Sequence, residues 1–508
     1  MNLVIRNKIL VVLFLSIAGL LSACGNSSND SGNQSNTPVN LAPFFASLSG
    51  AQENPPVLTA ADGNANFTVD LTSGQITGRL ATNEITASAA HIHIGDAGLN
   101  GAIIIGLTQT AAGSGIWTVS PNIALTAAQL SALNAGGLYV NVHTDLHPGG
   151  QIRGQIGRTT LTTKMAGSQE NPPTPSLASG TGVFSVDPLT RALSARVVTS
   201  GLTATAAHIH AGAIGVNAPV SIGFVQTESG SGIWIPPANT ALTAEQYQSF
   251  ISGGTYFNVH SAAFPGGEIR GQIGRDVFDV ALAGAQENPP VVGGGSATSR
   301  IIVNPATREV AGSITNIGIA ATAGHIHTGL FGVNGPVLVP TTQSAAGSAV
   351  WNFTPATFTA AQYRAILFGN MYANTHSAAF PGGEARGQIG KVIRTGLMSG
   401  ANEVPPTTSA ASGRGRAELD ANTLDVFVTI TTAGVAATAA HLHVGAVGVN
   451  GAVIVPLTQG PTNTWTSAGG AKLTQAQAVA FAAGGTYFNV HSAALPGGEV
   501  RGQAAGLD

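Results

Sequence analysis

Residues 66–80 read NFTVDLTSGQITGRL, with apolar side chains on alternate positions: Phe67, Val69 and Leu71 before the turn, Ile76 and Leu80 after it. Period two puts such side chains on one face of a strand, so the segment predicts a β-hairpin around Thr-Ser-Gly. RIIVNPATREVAGSI at 300–314 repeats the pattern. A short helix is predicted where LTAAQL, LTAEQY, FTAAQY and LTQAQA carry Thr-x-x-Gln, at Thr126/Gln129, Thr243/Gln246, Thr359/Gln362 and Thr474/Gln477. Threonine at the N-cap and glutamine three residues on satisfy two orphan backbone N–H groups reciprocally. Many short strands and turns with one short helix predict an all-β unit, either a β-sandwich or a Greek-key barrel.

That unit recurs four times. GAQENPP (50–56), GSQENPP (167–173), GAQENPP (284–290) and GANEVPP (400–406) stand near the starts, and each unit ends on RGQ. The boundaries read 42–158, 159–275, 276–391 and 392–508, giving units of 116 or 117 residues. A solenoid repeat spans about 20–50 residues; this period is that of a whole domain. No Pro-rich or Ser-rich linker separates the units, so they are expected close together as a semi-rigid string. GVNG and PGGE read as turns in which glycine supplies positive φ. The four tryptophans, Trp117, Trp234, Trp351 and Trp465, one per unit, are expected in the cores.

Composition narrows the function classes. Charged residues make up 8 % of the 508, against about 25 % in typical domains. Net charge is −3 and no basic stripe is present, which excludes a nucleic-acid partner, since phosphates require clustered Lys and Arg. The one cysteine stands at the end of MNLVIRNKILVVLFLSIAGLLSAC. Arg6 and Lys8 form a positive n-region and Ile9 to Leu21 an apolar stretch shorter than the roughly 20 residues that span a bilayer. Leu21-Ser22-Ala23-Cys24 resembles a bacterial lipobox. The expectation is a lipoprotein signal peptide over 1–23, with lipidated Cys24 joining the membrane. Gly25 in place of aspartate points to the outer membrane or cell surface. Residues 24–41, rich in Ser, Asn and Gly, read as a flexible tether. With one cysteine, no disulfide can support the fold.

The histidines carry the candidate chemistry. Twelve of the 13 form one triplet per unit: His91, His93 and His143; His208, His210 and His260; His325, His327 and His376; His441, His443 and His491. Only His147 stands outside this register, and it reads as an exposed loop residue. On a strand, positions i and i+2 share a face, so His-x-His aligns two imidazoles. An adjacent strand is expected to bring the third. Three imidazoles without a thiolate suit Cu(II) or Zn(II), up to four ions per chain. The alternative is architectural: histidines hydrogen-bonded to backbone and packed on tyrosine. Two charges keep the same register: Glu53, Glu170, Glu287 and Glu403, and Arg153, Arg270, Arg386 and Arg501. The glutamate is either a fourth ligand or an acceptor that orients an imidazole. The arginine either holds an anion or pairs with the glutamate.

ENPP, AAHIHxGxxGxNG, YxNVH and PGGEIRGQIG together resemble the CHRD domain, first described in chordin, over about nine-tenths of the chain. The resemblance implies an immunoglobulin-like β-sandwich with limited similarity to copper–zinc superoxide dismutase. It then places the histidine triplets at copper positions and Arg153 with its three counterparts at the dismutase arginine. The chain departs from that pattern in lacking a bridging histidine, a zinc cluster of His and Asp, and a disulfide. The units also differ among themselves. Gln151 stands where the others have Glu268, Glu384 and Glu499, Thr375 replaces valine before His376, and Ala218 replaces glycine in the second GVNG. Three functions follow: a surface-anchored, metal-binding scaffold with a protein or glycan partner, a copper redox enzyme of dismutase type, or a structural adhesin without metal. The first is favoured, because one spare constellation is repeated four times with no nucleophile–base set and no cofactor loop.

Overall fold

A computed structural model describes residues 40–292, 294–420 and 424–506. The signal peptide, Cys24 and nearly all of the tether lie outside the described residues.

The first repeat sets the pattern. Its strands are β1 (Leu41–Ser49), β2 (Asp62–Asp70), β3 (Ile76–Asn83), β4 (Ala89–Ile94), β5 (Ile103–Gln109), β6 (Ile116–Val119), β7 (Leu138–His143) and β8 (Ile152–Gln155), with helix α1 (Ala127–Ala135) between β6 and β7. The alternating segment 66–80 forms the expected β2–β3 hairpin, with Val69 opposite Ile76. Strand order is β1-β2-β3-β6-β5-β4-β7-β8, closed into a barrel. The neighbours β3–β6 and β4–β7 are distant in sequence, so the chain crosses the barrel twice. The fourth repeat closes the same way. In the second repeat the fifth strand is split into Val220–Gly223 and Val225–Gln226, and its sheet keeps the same circular order. The third repeat adds a short strand, Ala356–Thr357.

The barrel interior is the apolar face of this alternation. Phe67, Val69, Leu80, Ile92, Val140, Val142 and Ile152 are each at most 2 % exposed and form one cluster. Trp117, Trp234 and Trp465 are buried in their cores. Trp351 is half-buried, contrary to expectation; Phe353 and Phe358 enter the third core instead. All four helices begin on the predicted capping box, with Thr126, Thr243, Thr359 and Thr474 accepting from the N–H of Gln129, Gln246, Gln362 and Gln477. α1 ends on Gly136 at φ 78°, a left-handed cap that glycine adopts without strain.

The repeats touch directly. In the first junction the tip of the 95–100 loop meets Arg196, whose aliphatic stem lies against Gly98. Ala51 and Pro56 border a groove with Lys164 and Thr181. The second junction repeats the groove in register, with Ser168 and Pro173 beside Ala281 and Thr298; its arginine comes from the adjacent strand, where Gly215 faces the Arg300 guanidinium and Ser313, paired with Arg300, stands at the place of Arg196. The third differs, because the same loop drives Phe331 into the core cluster of repeat 4 and sets Gly332 against Val479. The arrangement is not the simple string the sequence implied, since repeat 1 also meets repeats 3 and 4. Asp62 pairs with Arg308 at 3.0 Å, and Arg414 donates to the Asp145 carbonyl at 2.6 Å. Ala60, Leu367, Phe368 and Ile393 form an apolar cluster drawn from all three repeats.

Candidate metal centre

The polar face of β4 and β7 is the outer wall of the barrel. Register places His91 opposite Asn141, His93 opposite Tyr139, and Ala89 opposite His143. Cross-strand partners point to one side, so His143 lies diagonally beside His91. The same pairing recurs as His208–Asn258 and His210–Tyr256, His325–Asn374 and His327–Tyr372, and His441–Asn489 and His443–Tyr487. The β4–β5 ladder shifts register between the two residues before and at the second histidine in every repeat. Such bulges re-aim side chains beside sites.

In each triplet the ring nitrogens gather within 4.8 Å of one another, with the middle histidine buried and the outer two half-buried. Hydrogen bonds fix which nitrogen faces inward. His93 Nδ1 donates to the Gly101 carbonyl at 3.0 Å, and His143 Nδ1 donates to the Pro148 carbonyl at 3.0 Å. Their Nε2 lone pairs therefore point into the site. The other repeats make the same bonds, through His210 to Ala218, His327 to Gly335 and His443 to Gly451, and through His260, His376 and His491 to Pro265, Pro381 and Pro496. The first and third histidines then meet: Nδ1 and Nε2 are 3.1 Å apart in His208–His260 and His325–His376, and 3.2 Å in His441–His491. Two imidazoles on one tetrahedral zinc, at Zn–N of about 2.0–2.1 Å, place their nitrogens about 3.3 Å apart. Buried Nε2 atoms of His93, His210, His327 and His443 have no hydrogen-bond partner among the described residues, nor do His91 Nδ1 and His143 Nε2.

A stack holds the middle ring. His93 lies parallel to Tyr139 at 4.9 Å, and the Arg153 guanidinium lies over the same tyrosine ring, 3.4 Å from its centroid. Tyr256, Tyr372 and Tyr487 repeat this with His210 and Arg270, His327 and Arg386, and His443 and Arg501. Arg153 is 1 % exposed. Its terminal nitrogens donate to the carbonyls of Leu99 and Asp96, both at 2.8 Å, and to Asn100 and Gln155 side chains. The arginine is thus a clamp on the 95–101 loop. It neither presents a free guanidinium to an anion nor forms a contact ion pair with Glu53. In repeat 1 a Cβ on Gly101 would collide with the Ile94 carbonyl, while repeat 2 carries Ala218 at this position with the same bonds to His210 and Tyr256.

The glutamates stand one residue back, outside the histidine groups, so the fourth-ligand expectation does not fit this geometry. Asn258 donates to Glu170 at 2.7 Å, and Asn489 to Glu403 at 3.4 Å. Asn141 and Asn374 stand beside Glu53 and Glu287 and, against the larger effect of burial, lower their carboxyls in the same sense. Burial pushes the Glu53 carboxyl up to about 8, partly offset by Arg153 and Asn141. Glu170, Glu287 and Glu403 rise to about 7 for the same reason. Burial acts oppositely on imidazoles, and neighbouring histidines add to it: His325 and His441 fall to about 4, and the first-repeat histidines are also lowered. These rings are neutral, as metal ligands must be.

Sequence reading missed the asparagine, and named tyrosine only in the architectural alternative, whose packing on tyrosine and bonds to backbone the structure shows. Both recur in YxNVH, and that recurrence was the available signal. It also misjudged His147, which is half-buried in the loop after β7. The Gln151 exchange is a latch: Gln151 donates to Thr59 at 3.1 Å, where Glu268 and Glu499 accept from Ser176 and Ser409 at 2.7 Å.

No curated protein matches this chain. A solved structure described as a tetra-tandem repeat in the extending region of a large adhesion protein aligns over 87 % of this chain and 97 % of its own. It does so at 12 % identity and a TM-score of 0.12, too low for any argument about fold. The CHRD domain matches residues 44–156, 161–273, 278–389 and 395–504. These spans cover the four barrels and every histidine triplet, and the chain belongs to the CHRD domain family as four tandem copies.

Proposed function

We propose that each CHRD repeat holds one transition-metal ion, Cu(II) or Zn(II), on its three histidines, and that the chain is a surface-anchored binding scaffold. The convergence of oriented ring nitrogens carries this reading. In repeat 1 two rings donate Nδ1–H to backbone carbonyls, leaving both Nε2 lone pairs without a partner among the described residues; in the other repeats the middle histidine keeps such a lone pair, while the third histidine's Nε2 meets the first's Nδ1. A buried polar atom left unpaired costs about 1–3 kcal/mol, and in repeat 1 an ion would satisfy three at once. The residues fit the metal: His91, His93 and His143 would ligate in repeat 1, as would their counterparts in the other repeats. Carbonyls of Gly101 and Pro148 would set ring orientation and raise ligand basicity.

A scaffold is favoured over a dismutase-type enzyme because Arg153 is spent on loop carbonyls and has no exposed guanidinium for an anion. Anchoring through Cys24, outer-membrane placement and a protein or glycan partner rest on the sequence alone. The finer fold reading is an immunoglobulin-like or superoxide-dismutase-like Greek-key arrangement of each unit; the two crossovers in the strand order support its Greek-key part. The separating experiment loads the chain with copper and measures superoxide consumption against free copper and a His91→Ala variant. The scaffold reading expects bound copper without turnover above the free ion. Turnover lost with the triplets would replace it with the enzyme.

A further inference from the structure

The loop that joins β4 to β5 is the repeats' own docking device. Its tip is covered in the first three repeats: Ala97 and Phe331 are 5 % and 3 % exposed, and Ile214 is half-buried. In repeat 4 the corresponding Val447 is 78 % exposed, and Gly448 has open space where Gly98 meets Arg196 and Gly215 meets Arg300. Ala401 and Pro406, counterparts of Ala51 and Pro56 in the first junction, are exposed beside it.

The complementary face is vacant at the other end of the series. Repeat 2 receives repeat 1 on Thr162, Lys164, Thr181 and Arg196. The matching positions of repeat 1 are Phe45, Ser47, Asn64 and Arg79. All four are exposed, and Phe45 reaches 57 %. Arg79 supplies the same aliphatic stem that Arg196 lays on Gly98, and the repeat 4 tip, Ala446 to Val449, is uncharged.

We propose that the chain associates head to tail with a second copy, the 445–450 loop of repeat 4 seating on the outer face of β1–β3 in repeat 1. The interface is that of the first junction, whose groove recurs at the second, continued between chains. A contact between two different surfaces leaves one end of each kind open, so it propagates into filaments or closes into rings.

The test is sedimentation velocity of the full chain in a Cys24→Ser background, which keeps acyl chains from driving association. The expected result is a mass that grows with concentration past the dimer. Val447→Asp and Phe45→Asp each leave single chains with an unchanged circular dichroism spectrum. Mixed together, the two variants form a dimer and stop, because each retains the end the other has lost. A wild-type chain that stays single throughout, or association that survives in either variant alone, overturns the proposal. Arg79→Glu is a second head-side variant with the same expected loss.

Discussion

His93 shows how one residue acquires a role from its surroundings. Its Nδ1 is taken by a carbonyl and its face by Tyr139, which leaves a single free lone pair with a fixed direction. Protonation of the neighbouring groups gives two tests on the metal-free chain. Glu53 is raised to about 8 from 4.5, so the folded state keeps a proton that the unfolded chain has released. Stability from this group is full below 4.5 and is lost as pH rises towards 8. Glu53→Gln mimics the protonated form, and urea midpoints are expected to show its advantage over wild type growing from pH 5 to pH 8. His325 has the opposite sign. Its value near 4, against 6.5, means the unfolded chain takes up the proton first as pH falls. Stability present above 6.5 is lost between 6.5 and 4. His325→Gln is expected to reduce that acid-side slope, and an unchanged slope would contradict its neutral burial. The triplets were legible in the sequence because twelve histidines keep one register. The arginine's role was not, since its shortest bonds go to backbone carbonyls, and the asparagine it also meets in every repeat lies in a segment that reads as a turn.

At the scale of elements, the hairpins and helices follow from local signals, alternation for β2–β3 and the capping box for α1. Thr126→Ala removes one side of that box and is expected to cost about 1 kcal/mol in denaturant unfolding. The order of strands was beyond local reading, because β3–β6 and β4–β7 pairings are decided by barrel closure. That register is also what puts Asn141 opposite His91 and Tyr139 opposite His93, so the asparagine and tyrosine could not be assigned from spacing. The 95–101 loop depends on the arginine. Arg153→Met keeps the stem and drops the donors to Asp96 and Leu99. The loop then no longer holds the Gly101 carbonyl on His93, and metal affinity of the first site is expected to fall about 10–100-fold. Equilibrium dialysis against the other three sites, which serve as internal references, reads that loss.

The whole molecule is four similar barrels whose order along the chain was plain from the period of 116 or 117 residues. Their packing was not plain, because Asp62–Arg308 and the cluster around Phe368 join positions with no shared pattern. Phe368 is fully buried among residues of repeats 1, 3 and 4. Phe368→Ala is expected to cost about 3–5 kcal/mol and to split one unfolding transition into two, followed by calorimetry. A single transition with an unchanged midpoint would mean the repeats do not stabilise each other there.

The central claim is that each repeat is a three-histidine metal site. Its most direct test is titration of the chelator-stripped chain with Cu(II), counting bound metal and recording the EPR spectrum. The account predicts saturation at four tight equivalents with nitrogen hyperfine structure. One equivalent should be lost in each of His93→Ala, His210→Ala, His327→Ala and His443→Ala. Weak binding, or four equivalents that survive these substitutions, would contradict it.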